Sequence, residues 1–386
     1  MKLKVVILID WFLPGDKAGG PVRSVYSLIK ALQDKIDFYV ITMNTDIFSD
    51  KEYSVIPNKW TKYEDINVFY FSKHYFNSKN LIAVIKEKHP DVLYINSFWS
   101  FRFSILPLLL KKLGKLDYSI LLSPRGMLDA GALNIKSFKK IVFIFLSKLI
   151  GLHNGIIFHA TSEEEKKSIK RIFKNSDVHL VSNLSIIEGN WVENVKKKDE
   201  LKLFFLSRIS EVKNLDFAIR VLSDISLSNN QKIKYHIYGN NEEKEYFKLC
   251  KELAKQLPSQ IEYQYKGGLS FHEVPFMIAN YHALFLPTKN ENFGHAIVET
   301  LSCGRPVIIS NCTPWNDVNA YNCGFALELK EENFKDVILK FLEMDNLEFQ
   351  EMCKNARAYI DKKLNKEFII SEYIKLFNYA AKSKIN

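Results

Sequence analysis

The sequence predicts two doubly wound α/β domains, each built on a parallel sheet, facing each other across a cleft. Short apolar runs rich in Val, Ile, Phe and Tyr alternate along the chain with longer stretches of helical period, the pattern of βα units. The alternation starts twice, the second time after the polar stretch WVENVKKKDE. A chain of 386 residues is also too long for one ordinary core at about 100–200 residues per domain.

In the first half, strands are expected at 3–9, 37–42, 67–71, 91–96, 118–122, 155–160 and 178–182, with helices between them that include 23–33, 101–114 and 136–150. The second half repeats the pattern with strands at 202–207, 233–238, 262–266, 283–287, 306–310 and 325–328. Its helices cover 214–226, 243–256, 271–281, 294–303, 331–343, 347–361 and 366–381. These place a first domain at 1–195, a second at 196–365 and a closing helix in 366–386 that packs back on the first. In such sheets ligands sit at the carboxyl ends of strands, so functional residues should collect in the loops that follow strands. The chain has no internal repeat and no low-complexity segment.

Composition narrows the class. With 15 glycines, 11 prolines and 25% charged residues, the chain is neither collagen-like nor disordered. Its five cysteines, Cys250, Cys303, Cys312, Cys323 and Cys353, show no CxxC spacing and no paired histidines nearby, which reads as free thiols in a reducing cytoplasm. MKLKVVILID imitates a signal peptide, but its apolar run stops at Asp10, and no uncharged apolar stretch reaches the roughly 18 residues of a membrane span. A cytoplasmic protein is expected. The net charge of +10 is uneven, with 27 basic against 19 acidic residues in 1–195 and 27 against 25 in 196–386. A nucleic-acid partner would need basic residues interleaved with aromatics in a recognisable module, and none is present.

After the expected strand HALFLP stands TKNENFGHAIVETLSCGRPVIISN, in which seven residues separate Glu291 from Glu299. Glu291 falls in the loop, and Glu299 lies inside the helix that Gly294 opens, two turns on and on a similar face. The start of that helix offers backbone N–H groups and a positive dipole end, which suit a phosphate. A carboxylate in the loop and a second one deeper are then placed to accept hydrogen bonds from sugar hydroxyls on either side of it.

On these residues the sequence resembles the retaining, nucleotide-sugar-dependent glycosyltransferases of the GT-B fold, with two Rossmann-like domains and the E-x7-E motif. The resemblance implies that Glu291 contacts hydroxyls of the donor sugar and Glu299 those of the ribose. It also implies that the backbone N–H groups of Asn292, Phe293, Gly294 and His295 reach the sugar and diphosphate. In LFFLSRISEVKNLDFAIRVL, Arg208 and Lys213 stand where the family binds the donor diphosphate. Fixed cations there would stabilise the charge that the leaving group gains as the glycosidic bond breaks. Gly239, closing the strand in KIKYHIYGNNEE, and Gly267 and Gly268, in YKGGLSFHEV, lie in loops that read the base and contact phosphate in the family; they equally suit ordinary turns. The donor implied is a nucleoside-diphosphate sugar, with no cofactor. There is no DxD motif, and metal-independent transfer with retention of configuration is expected.

In the first half, Gly19 and Gly20 of WFLPGDKAGGPVRS do not form GxGxxG and resemble the family's Gly-Gly loop, although a tight turn would look the same. SPRGMLDAGAL has Arg125-Gly126 where many family members have His-Gly. Arg is no general base at neutral pH but can hold a phosphate, a carboxylate or a sugar hydroxyl. INSFWS puts Asn96, Ser97 and Trp99 at another strand end, Trp99 either to stack on a sugar or to pack in the core. Residues 101–148 carry nine basic side chains and only Asp117 and Asp129 as acids, beside apolar stretches such as IVFIFL. Such a pattern suits either a helix buried on one face and charged on the other, or peripheral contact with an anionic membrane surface.

The activity expected is transfer to a glycan or lipid-linked acceptor in surface polysaccharide or lipopolysaccharide assembly, in the cytoplasm and at the inner face of the membrane. Two alternatives stand beside it. A nucleotide-sugar epimerase of the same architecture would need acid–base groups at the sugar, and no convincing set is found. A non-catalytic sugar-binding module would need neither the diphosphate cations nor the Glu pair.

Overall fold

The computed structural model describes residues 2–15, 17, 19–47, 49–129, 133, 137–185, 194–270 and 272–383. The chain divides into two compact units, residues 1–186 with 366–386, and residues 187–365.

The first unit contains β1 (Leu3–Leu8), α1 (Gly20–Leu32), β2 (Ile36–Met43), β3 (Trp60–Tyr63), β4 (Ile66–Phe71), α2 (Ser78–Glu87) and β5 (Val92–Ile95). A single π turn, Phe101–Ile105, then leads into α3 (Leu106–Lys112), followed by β6 (Ser119–Leu122), α4 (Ser137–Leu149), β7 (Ile157–Ala160), α5 (Glu163–Ile172) and β8 (Asp177–Leu180). The strand order is β3-β4-β2-β1-β5-β6-β7-β8, parallel except for β3, which runs antiparallel to β4 at the edge. β5, β6 and β7 are buried at every position, because a parallel sheet covered by helices has no wet face. α1 starts with Pro in its first turn and turns Val22, Val25, Leu28, Ile29 and Leu32 inward, the three-to-four spacing of one helical face.

The second unit contains β9 (Glu200–Leu206), α6 (Leu215–Ser223), β10 (Lys232–Tyr238), α7 (Lys244–Ala254), β11 (Ile261–Gly267), α8 (Val274–Ile278) and β12 (Ala283–Leu286). α9 (His295–Ser302), β13 (Val307–Ser310), β14 (Gly324–Leu327), α10 (Glu331–Glu343) and α11 (Asn346–Lys363) complete it. Its sheet is wholly parallel in the order β11-β10-β9-β12-β13-β14. The order reverses between β9 and β12, and that reversal opens a crevice at their carboxyl ends.

The boundary falls at 186 and not at the expected 195, and the described segment from Asn194 onward is fastened to the second unit. Asn194 Nδ2 donates to the carbonyls of Ala279 and Tyr281 at 3.1 and 3.2 Å. Lys196 is buried, with its N–H on Asn346 Oδ1 at 2.9 Å and its ammonium on the Met344 carbonyl at 3.1 Å. After α11 the chain returns to the first unit as α12 (Lys366–Lys382). There Phe377 meets Phe38 and Tyr94 edge-on at 5.9 and 5.5 Å, and Tyr373 meets His159 at 5.4 Å. Among the described residues no helix is long and apolar enough to cross a membrane. The cysteines are free thiols, and burial pushes Cys250 up to about 11 and Cys303, Cys323 and Cys353 up to about 12.

Two buried histidines and a half-buried one make stability pH-dependent. Burial holds His159 and His282 down to about 3 and His153 down to about 4. Unfolded histidines protonate below about 6.5, so the unfolded chain takes up protons that the native state refuses, and stability falls as pH drops from there towards 4. Asp129 and Asp10 act oppositely: burial raises both, Asp129 to about 6, so their cost is relieved as pH falls. Three histidines outweigh two carboxyls, and the protein is expected to unfold at lower urea at pH 5 than at pH 7. His159→Gln should flatten that difference by about 2 kcal/mol.

Candidate active site

The crevice of the second sheet is built from the loops after β9 and β12. The β9 loop turns at Ser210, whose carbonyl accepts the N–H groups of Lys213 and Asn214 at 2.9 and 3.3 Å. Asn214 then takes a left-handed conformation, φ 62°, which Asn tolerates better than most residues. Its Nδ2 donates to the Pro287 carbonyl at the end of β12, at 2.9 Å. The β12 loop answers with Lys289 N–H and Thr288 Oγ1 on the Val212 carbonyl, at 2.8 and 3.1 Å. From the far side, the Ser310 hydroxyl donates to the Thr288 carbonyl, and Glu291 N–H reaches the Cys312 carbonyl at 3.1 Å.

This frame sets Lys213 Nζ 2.6 Å from Glu291 Oε1, with each side chain about one-eighth exposed. Two residues separated by 78 positions thus form one cation–carboxylate pair at the switch point. Arg208, earlier in the same loop, is half exposed and bonds Glu242 Oε2 at 2.9 Å. Gly294 opens α9 at φ 77°; a Cβ there would meet Ile297 Cδ1 at 3.0 Å and Trp315 Nε1 at 3.3 Å. Trp315 Nε1 also donates to the Phe293 carbonyl at 2.6 Å, which fixes the turn ahead of the helix. Asn292 and His295 are half-buried, whereas Phe293 and Glu299 are buried. Glu299 therefore lies deeper than Glu291, one in the helix and one in the loop. Gly239, Gly267 and Gly268 gather at the neighbouring strand ends, with Gly239 N–H on the Gly267 carbonyl at 2.8 Å.

In the first unit the strand order reverses between β1 and β5. Asp10, after β1, accepts a hydrogen bond from Ser100 Oγ, after β5, at 2.7 Å, and burial raises its carboxyl. Gly19 stands at the start of α1 at φ 67°, with open space where a Cβ would be, and Gly20 is the first residue of that helix. Arg125 and Gly126 form a left-handed pair, φ 56° and 75°. The Arg125 conformation is held by its guanidinium. Nε and Nη2 donate to Asn96 Oδ1 at 3.1 and 2.6 Å, Nη2 also reaches Tyr94 Oη at 3.0 Å, and Nη1 donates to Asn183 Oδ1.

The network continues inward. His159 Nε2 meets the Val181 carbonyl at 2.8 Å, so Nε2 carries the ring proton, and Nδ1 accepts the Tyr94 O–H at 2.7 Å. Glu165, fully buried, holds the turn by accepting Gly126 N–H at 2.6 Å and Thr161 N–H and Oγ1 at 2.7 Å. Asn96 is therefore a buried clamp on Arg125. Of the two places open to Trp99, the structure gives it the rim of the core: its Nε1 donates to the Met127 carbonyl at 3.3 Å, and its ring meets Phe98 and Phe143 edge-on.

Glu242, Asp10, Asn183, Glu165, Tyr94 and His159 are not legible in the sequence as parts of these clusters. Asp10 and Glu242 did carry a signal, since each is an acidic residue just past the end of a strand. Asn183 and Glu165 act across the sheet and left none.

Two Rossmann-like parallel-sheet domains define the GT-B fold. Both halves of the chain match glycosyltransferase families: residues 188–362 match the family described as Glycosyl transferases group 1, and residues 18–184 match Glycosyltransferase Family 4. It is 22% identical over 310 residues to an uncharacterized 41.2 kDa protein in the cps region of Klebsiella pneumoniae, covering 77% of this chain and 81% of that one. It is 25% identical over 351 residues to an uncharacterized glycosyltransferase of Methanocaldococcus jannaschii, covering 89% and 90%.

Among solved structures, sucrose-phosphate synthase from Thermosynechococcus elongatus superposes with a TM-score of 0.72 at 15% identity, over 98% of this chain and 99% of that one. Anabaena HepE in complex with UDP-glucose gives 0.71 at 15%, over 98% and 100%. WaaG, a glycosyltransferase involved in lipopolysaccharide biosynthesis, gives 0.63 at 13%, over 92% and 95%. At these identities the likeness is one of fold.

Proposed function

We infer that the protein is a retaining, metal-independent glycosyltransferase that moves a sugar from a nucleoside-diphosphate sugar to a saccharide or lipid-linked acceptor. The observation that carries this reading is the Lys213–Glu291 pair at the switch point, with Arg208 in the same loop. In the transfer, the bond from the anomeric carbon to the diphosphate oxygen breaks and its electron pair stays on that oxygen. The acceptor oxygen bonds the same face of the anomeric carbon, and its proton passes to the departing phosphate oxygen. No side-chain base is required. Lys213 and Arg208 stabilise the charge that builds on the diphosphate, the work that a metal ion does elsewhere. Glu291 orients the sugar and, deeper in the unit, Glu299 the ribose. Asn292, Phe293, Gly294 and His295 offer backbone N–H groups to the donor, and the Gly239 turn lets the protein backbone approach it closely. In the first unit Arg125, clamped by Asn96, and Trp99 serve the acceptor side.

The relative in a cps region and the fold shared with WaaG support a place in surface polysaccharide or lipopolysaccharide assembly, in the cytoplasm and at the inner face of the membrane. HepE, of like fold, was solved with UDP-glucose, which makes UDP-sugars the first donors to try. Melting the protein with UDP-, GDP-, ADP- and CMP-sugars should show one nucleoside-diphosphate sugar raising the transition by several degrees. Ligand at about 100 times its Kd contributes about 2.7 kcal/mol to the folded state. Transfer from that donor should persist in EDTA and give a product with the donor's anomeric configuration by NMR. If none of the four raised the transition, the donor site would be misassigned.

A further inference from the structure

Helix α4 has two apolar faces. One packs inward, with Phe143 edge-on to Phe98 and Trp99 at 6.3 and 5.7 Å and with Ser147 buried. The other carries Phe138, Ile141, Val142, Phe145, Leu146 and Leu149 at the spacing of a single helical stripe. All six are exposed, Phe138 at 78%, Phe145 at 65% and Leu149 at 73%. A surface helix in water ordinarily turns polar side chains outward at these positions, and an apolar stripe of this length marks a surface that something covers.

Charge identifies what covers it. Lys139 and Lys148 stand exposed on the same helix, Lys140 Nζ lies 5.5 Å from the Trp99 ring centre, and no acidic residue occurs between Asp129 and Glu163. A second copy docked through a two-fold axis would set this acid-free, lysine-bearing surface against itself, leaving like charges with no counter-ion beside the contact. A bilayer with anionic headgroups answers both features at once. The apolar stripe enters the acyl boundary while the ammonium groups stay at the level of the lipid phosphates.

We propose that the outer face of α4 is a membrane-docking surface that lays the first unit on an anionic bilayer. The proposal deepens the membrane side of the function inferred above and rests on that part alone. Its test reads lipid binding without turnover, so its failure leaves the donor site intact.

The full chain is floated with vesicles of phosphatidylcholine alone and of phosphatidylcholine with phosphatidylglycerol. The expected result is co-flotation with the anionic vesicles only, weakened about tenfold when salt rises from about 0.05 to about 0.5 M. The double variant Ile141→Glu/Phe145→Glu should lose flotation, while its melting and its response to donor stay as in the parent, because both side chains are exposed. Equal flotation of parent and variant, or no flotation of either, overturns the proposal. So does light scattering that shows a dimer split by the variant when lipid binding is absent, which would assign the face to a second copy.

Discussion

Lys213→Ala is expected to lower kcat/KM for sugar transfer by about 10²–10³-fold, the usual loss when one fixed charge-stabilising donor leaves an active site. Two things make the effect large. Lys213 is held within a frame of backbone and side-chain bonds between the β9 and β12 loops, so its charge is fixed in place before the donor arrives. It is also the partner of Glu291 at 2.6 Å, and its removal leaves a largely shielded carboxylate facing an anionic donor. Lys213→Arg should not restore the rate, because a planar fork needs a different approach from a compact ammonium. Glu291→Gln is expected to cost transfer as well, and the double variant should lose less than the sum of the two, since the residues act as one unit. Initial rates with the donor picked out by melting, together with thermal unfolding to show that each variant folds, decide the matter. Full activity in a folded Lys213→Ala would remove Lys213 from the site.

The strands of the second unit were legible because a parallel sheet covered on both faces requires continuous apolar runs, and FFLS, HIYG and LFLP end just where the crevice opens. What sequence could not show is contact across the sheet. Lys213 and Glu291 were each singled out by position in a loop, but nothing in linear order says that they touch. Only the β9–β12 adjacency brings them together. Arg208 stands in the sequence as a cation suited to a diphosphate, and the structure gives it Glu242, which a diphosphate must displace or share. β3 is not legible in the sequence because WTKY is a short antiparallel edge strand with no buried position, so it has neither an apolar run nor strict alternation. The helix expected over 271–281 is reduced to Val274–Ile278, with Pro275 in its first turn. On α4 the apolar residues follow a helical period, but the sequence offers no means of deciding which of its two apolar faces is left outside.

Gly239→Ala is expected to destabilise the second unit by more than about 3 kcal/mol, a size reserved for changes that the backbone cannot absorb. Gly239 has φ 145°, and a Cβ on it would fall 1.7 Å from the Ser207 carbonyl oxygen and 2.7 Å from its carbon. Relief by movement is costly. Ser207 N–H is bound to the Tyr238 carbonyl at 3.1 Å, Ile209 N–H to the Asn240 carbonyl at 2.9 Å, and the Gly239 carbonyl accepts the Tyr265 hydroxyl at 3.0 Å. Gly267→Ala is the control: it too has a positive φ, 84°, but open space where the Cβ would stand, so it should cost only the roughly 1–2 kcal/mol of left-handed strain. Urea unfolding of the two variants beside the parent measures the difference, and equal stability would mean that the close approach of the strand ends does not hold this corner. A functional consequence accompanies the structural one. Ser207 immediately precedes Arg208, so a shift large enough to admit the methyl group carries Arg208 off Glu242 and pulls on the loop that presents Lys213. Gly239→Ala should therefore lose stabilisation by donor even at temperatures where it remains folded, whereas Gly267→Ala, strained but not displaced, should keep most of it.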